Sequence, residues 1–438
     1  MATRTELAHL LRRATFGPRA EDVDAAERAG LDATLAVLFA PAGTDAGAAR
    51  TPVPALEPVA VPGPKADADA RQKARQQQRE QTNTVTLWWL DRMVQADHQL
   101  SEKLTFFWHG HWATSVEKVR DAPLMLAQQQ TLQRYGGGDF GALLKAMLRD
   151  PALLFWLDGQ KNTAKAPNEN LARELMELFT LGIGRYGEAD VRQAARALTG
   201  WRIDPAKRTA VFDPKRHDSG VKTVLGRTAP LDADGLADVL LAQPAHAGFL
   251  AARLWARYAS GDPLPDDARD RLVAAYGPGH SVSALLRALL TDPRFAATPG
   301  QLVKQPVEWA VGAMRQLGIR PGALAAQQQR QLLQGLDQLG QVPFAPPSVG
   351  GWPSGTAWLS TSAVGVRLRL ADLLAARAEP GVVARLTAVP AAQRPDALAR
   401  LLVVDAFTDR TRAVLARSAG DVRRLIALGL ASPEYTVM

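Results

Sequence analysis

Apolar residues recur three or four positions apart along most of the chain, with charged or amide side chains between them. This is the repeat of helices that each bury one face. Leu7, Leu10 and Leu11 open the pattern, Gly17-Pro18 breaks it, a second helix starts near Ala20-Glu21-Asp22, and a third covers Leu31 to Phe39. Residues 41–65 lose the repeat and carry Pro52, Pro54, Pro58, Pro62 and Pro64, so they read as an extended connection. Residues 66–81 are polar all round, which predicts a solvated helix or arm. From Asn83 the repeat returns. It predicts a helix over Val85–Ala96 with Trp88, Trp89 and Leu90, and another from Ser101 to about His109 with Leu104, Phe107 and Trp108 inward. Helices follow at about 121–134, 139–149 and 188–198, and in close succession from 232 to 431. One long Pro/Gly/Trp loop interrupts that succession at 339–360. Strand character is confined to Gly200–Ile203 and Thr209–Phe212, a single small hairpin turning at Asp204-Pro205-Ala206-Lys207. The expectation is an all-α protein with three parts: N-terminal helices at 1–40, a connection and polar arm at 41–82, and a main helical domain at 83–438.

Composition narrows the function classes. The chain has 438 residues, 47% hydrophobic and 22% charged, as in ordinary globular proteins. The net charge of +8 comes from arginines spread along the helices, and phosphate tracking needs clustered charge, so nucleic-acid binding is not expected. There is no cysteine, which removes disulfides, thiolate catalysis and Cys-ligated metal sites. No apolar run reaches the length of a membrane span, and the N-terminus enters an amphipathic helix with no signal-peptide h-region. A cytoplasmic location is expected, or export together with a signal-bearing partner. Gly-x-Ser-x-Gly, Walker, dinucleotide and His-Glu-x-x-His motifs are all missing.

Candidate chemistry gathers in four stretches. Pro167 to Gly184 reads as a short helix with Asn168 as its cap and Gly182 and Gly184 as its stop. Leu171, Leu175, Leu178 and Met176 or Phe179 make its apolar stripe. Glu169, Arg173 and Glu177 are four apart and stack on one face, with Glu174 beside them. Spacing alone allows either an exposed salt-bridged ladder or an inward acid cluster. His109-Gly110-His111 lies among aromatics. On a regular helix these two imidazoles point about 200° apart, but a helix ending at Gly110 would let them converge on an ion. His217-Asp218 sits in a loop and offers a third imidazole or a base. Trp352 and Trp358 either anchor the long loop or line a substrate groove.

Several separated motifs together resemble one family. They are Ala8-His-Leu-Leu-Arg-Arg-Ala-Thr-Phe-Gly17, Lys103-Leu-Thr-Phe-Phe-Trp-His-Gly-His111 with Ala113-Thr-Ser115, and Asn168-Glu-Asn-Leu-Ala-Arg-Glu-Leu-Met-Glu-Leu178. Further along come Ala194-Ala-Arg-Ala-Leu-Thr-Gly-Trp201, His217-Asp218 with Lys222-Thr223 and Gly226, and Gly350-Gly-Trp352. In this order they are similar to the uncharacterised bacterial family DUF1800, over almost the full length. The resemblance implies no catalytic residue. It implies a possible partner in the DUF1501 family, which is similar to sulfatase-like proteins and commonly encoded beside DUF1800 members.

The resulting expectation is a metal-assisted enzyme. His109, His111, His217 and Glu169 would ligate a divalent iron, manganese or zinc ion, with Glu174, Glu177, Arg173 and Asp218 as catalytic groups. Trp352 and Trp358 would bind substrate. Two alternatives stand beside it: a metal-free acid–base enzyme acting on a polysaccharide, and a non-enzymatic helical partner of a sulfatase-like protein.

Overall fold

The computed structural model describes residues 2–40, 45–57, 59, 63 and 67–438. Pro58, Pro62 and Pro64 of the expected connection lie outside the described residues. The protein is 64% helical with two small antiparallel hairpins, the all-α architecture the periodicity indicates. The first hairpin pairs Trp201–Asp204 with Thr209–Phe212 in the register Trp201↔Phe212. The second, Lys222–Val224 with Arg227–Ala229, is absent from the sequence reading. Its turn is Leu225-Gly226, both at positive φ, and a leucine at the first turn position hides the usual signal.

Helix Ala68–Gln95 runs unbroken across the expected boundary at 82/83. Asp67 caps it through the Ala70 N–H, and no Gly or Pro interrupts it for 28 residues. Its first half is polar and mostly exposed, with only Ala74 buried, and its second half buries Val85, Trp89, Leu90 and Met93. The arm and the core are therefore one element.

Two apolar cores flank helix Gln99–His111. The first gathers Leu7, Leu10 and Leu11 with Trp108, Trp112, Phe140 and Phe179. The second gathers Trp89, Phe106, Trp309 and Phe344. Helix Gln99–His111 sends Leu104, Phe107 and Trp108 to the first core and Phe106 to the second. The N-terminal helices thus share the main core. At their end, Gly17 sits at φ +153, where a Cβ would come within 2.6 Å of the Gly312 Cα. Only glycine lets the motif ending at Gly17 press its backbone onto helix Pro306–Leu317.

Candidate functional site

The Pro167–Gly184 stretch does not form a uniform helix. It begins as an α-helix over Asn170–Glu174 and widens to a π-helix over Leu175–Thr180. Asn168 Oδ1 accepts from the Asn170 N–H at 3.0 Å, as its capping role requires. Met176 O accepts from Leu181 N–H at 2.9 Å, five residues on. The last carbonyls of a helix lack partners of their own. Two histidines supply them. His111 Nε2–H donates to Phe179 O at 3.1 Å. His246 Nδ1–H donates to Thr180 O at 3.0 Å and accepts at Nε2 from Tyr276 Oη at 2.8 Å. His246 makes both bonds from a buried position.

The extra residue per turn changes the polar face. Arg173 bridges Glu169 at 3.2 Å and Glu188 at 2.7 Å, all exposed or half-exposed. Glu177 falls out of line with them and accepts from Tyr186 Oη at 2.7 Å. Of the ladder that the spacing implies, the Glu169–Arg173 rung is present and, among the described residues, no Arg173–Glu177 ion pair forms, since the helix widens to a π-turn after Glu174. Glu174 is half-buried and, among the described residues, has neither hydrogen bond nor ion pair. Burial, with the neighbouring Glu177 charge, raises its pKa above the ordinary carboxyl value. Burial and the bond to Glu177 push Tyr186 up to about 12.

The histidines expected to meet at one ion face different cores. Helix Gln99–His111 continues regularly through Gly110, so the two rings diverge. His109 lies among Trp89, Phe106, Phe344 and Trp352, and its Nε2 accepts from the Phe344 N–H at 2.8 Å. His111 lies among Trp108, Trp112, Phe140 and Phe179. Burial holds His109 down to about 3 and His111 well below the usual imidazole range. His217 is half-buried in the loop after the first hairpin, with Nδ1 2.9 Å from Thr199 O. Asp218 pairs with Arg196 at 2.7 Å and takes the Gly220 N–H, which ties the same loop down. Among the described residues no three His, Asp or Glu side chains are placed to hold a metal ion. The set His109, His111, His217 and Glu169 does not fit an iron, manganese or zinc site.

The tryptophans act as loop anchors. Trp358 is buried, and Trp352 stacks on Phe106 with ring centres 5.7 Å apart. Gly351, at φ +83, lets the loop lie on helix Gln99–His111, since a Cβ there would meet Gly110 O at 2.5 Å.

Sequence reasoning missed a second charged assembly. Lys103 and Glu308 are fully buried and 2.8 Å apart, and Arg257 reaches the same carboxylate at 2.9 Å. Lys103 also donates to Thr15 O at 2.9 Å, and Arg13 donates to Ala259 O at 2.9 Å and to Thr298 O. These cations take up carbonyls where helices Arg4–Ala14, Pro244–Tyr258 and Pro293–Ala296 end. The two adjacent cations hold Glu308 down to about 2 against its burial. Arg13 and Lys103 stand inside quoted motifs, and that was the one available signal.

A model of the family described as "Protein of unknown function (DUF1800)" matches residues 9–437. The chain belongs to the DUF1800 family. Its motifs now have physical roles: Arg13, Gly17 and Lys103 fasten the N-terminal helices to the interior, and His111 closes the π-helix. No curated protein and no solved structure matches the chain. Among the described residues, no helix is long and apolar enough to cross a membrane.

Proposed function

We propose that this DUF1800 member is an acid–base enzyme whose proton donor is Glu174. One observation carries the reading: a half-buried carboxyl without a partner stands beside a second carboxylate that Tyr186 holds. Two neighbouring carboxyl groups in unlike environments divide the roles of proton donor and charged stabiliser. A donor useful near neutrality needs the raised proton affinity that burial and Glu177 provide. The π-helix supports this role, since such turns recur at functional sites and this one presents Glu174 and Glu177 together. With Trp352 and Trp358 taken up in packing, a polysaccharide substrate loses its stacking platforms.

Carboxyl titration by NMR on the glutamate-labelled full chain tests the reading without a known substrate. Glu174 should titrate above the other glutamates and return toward them in Glu177→Gln. A panel of nitrophenyl glycosides and esters adds the activity readout, with turnover falling about a hundredfold or more in Glu174→Gln. Titration of Glu174 with the exposed glutamates, or undiminished turnover in Glu174→Gln, would refute it.

A further inference from the structure

Away from the carboxyl site, an open groove with a volume of about 320 Å³ lies along helices Ala20–Ala29 and Leu31–Leu38. Gly30, at φ +84, is the only residue between the two helices and lets them meet at a corner. Ala25, Ala29 and Ala33 line the groove with Leu11 and Val37, and their small side chains leave the space open. The lining is mostly apolar, and the volume is at the lower end for small-molecule sites.

Four charged residues also border the groove: Arg19, Asp22, Asp97 and Arg315. Three of them are committed elsewhere or reach solvent. Arg19 holds Asp22 with its Nη2 at 2.9 Å and its backbone N–H at 2.8 Å. Asp97 takes the Gly47 N–H at 2.8 Å and is half-exposed. Arg315 differs, with a side chain only 5% exposed. Its Nε donates to Gly17 O at 3.0 Å and its Nη1 to Val94 O at 2.7 Å. Its Nη2 has no hydrogen-bond acceptor among the described residues, and Asp22 Oδ2 stands off at 3.7 Å. This Nη2 edge borders the groove with only the offset Asp22 carboxylate near it, and a guanidinium edge without a hydrogen-bond acceptor favours an anionic oxygen.

We propose that this groove binds a small amphiphile with an aliphatic chain and a terminal carboxylate, the chain lying along the alanines and the carboxylate on Arg315 Nη2. The apolar wall gains from covering the chain. The inner cation selects the head group, because its backbone partners hold it in place before the ligand arrives.

Isothermal titration of the full chain with dodecanoate, dodecanol and dodecyltrimethylammonium, each below its micelle concentration, tests this. Dodecanoate should bind one to one, at least about tenfold more tightly than either of the others. Ala29→Trp fills the groove from an exposed helix face and leaves the Arg315 contacts intact. It should abolish binding, along with the rise in Tm that dodecanoate gives the wild type. Arg315→Gln should bring dodecanoate down to the affinity of dodecanol. The proposal fails if folded wild-type protein does not bind dodecanoate, if the cationic amphiphile binds equally well, or if Ala29→Trp binds unchanged. A change in oligomeric mass in Ala29→Trp without dodecanoate binding to the wild type would assign the groove to a protein contact and also overturn it.

Discussion

His111 and Phe179, 68 residues apart, are joined by one hydrogen bond from an imidazole N–H to a helix-terminal carbonyl at 3.1 Å. That bond ties the His-Gly-His stretch to the carboxyl-bearing helix, so His111 serves to hold that helix in place. His111→Phe keeps the bulk among the rings but leaves the Phe179 carbonyl buried and unpaired. It should cost about 1–3 kcal/mol in chemical denaturation and speed amide exchange over residues 175–182. Unchanged stability and exchange would show that the bond does not hold the π-helix.

Acid should destabilise the protein through its buried histidines. His109 is held down to about 3, and His9 and His246 to about 4, each chiefly by burial. Their unfolded forms take up protons below about 6.5. The stability they contribute is complete above that pH and is lost as pH falls toward 4 and then 3. Asp150 works in the opposite direction, since burial raises it to about 6 and the folded state keeps its proton first. Three or more histidines outweigh one carboxyl, so the urea midpoint should drop between pH 7 and 4.5. His9→Phe, which can retain the stacking on Phe295, should shallow that drop.

The buried Lys103–Glu308–Arg257 group should be the costliest polar feature to break. Glu308→Gln leaves two buried cations without their carboxylate, and losses on this pattern run to about 3–5 kcal/mol. A Lys103→Met, Glu308→Leu double variant should recover part of the loss, because it removes one of the two stranded cations and leaves only Arg257 without its carboxylate. Chemical denaturation of the two variants checks the order. Equal stability of Glu308→Gln and wild type would mean that water reaches the group.

Gly351→Ala should dislodge the long loop. The new Cβ would stand 2.5 Å from the Gly110 carbonyl, and φ +83 already strains an L-residue. Tryptophan fluorescence should shift as Trp352 leaves Phe106, with a lower Tm. An unchanged spectrum and Tm would show that the loop accommodates the methyl group by a small backbone shift.

Helix content, most helix positions, the first hairpin, the long loop and the inward faces of Leu104, Phe107 and Trp108 follow from the sequence alone. They depend on repeats and breakers within a few residues, and local sterics with one-sided burial suffice to set them. The first half of helix Ala68–Gln95 could be read only as a solvated helix or an arm, because a polar stretch carries no burial pattern whether it is helix or coil. The family could be named from separated motifs, but what those motifs do could not. Whether His109 and His111 converge depended on whether the helix ended at Gly110. Packing of two cores against opposite faces kept it helical, and the imidazoles diverged. Whether Glu177 joined Glu169 and Arg173 depended on a single π-turn, which His111 and His246 close from elsewhere in the chain. The Lys103–Glu308 pair, 205 positions apart, and the placement of Arg315 at the groove arise only when distant helices meet. Such contacts have no local period, so tertiary packing alone decided them.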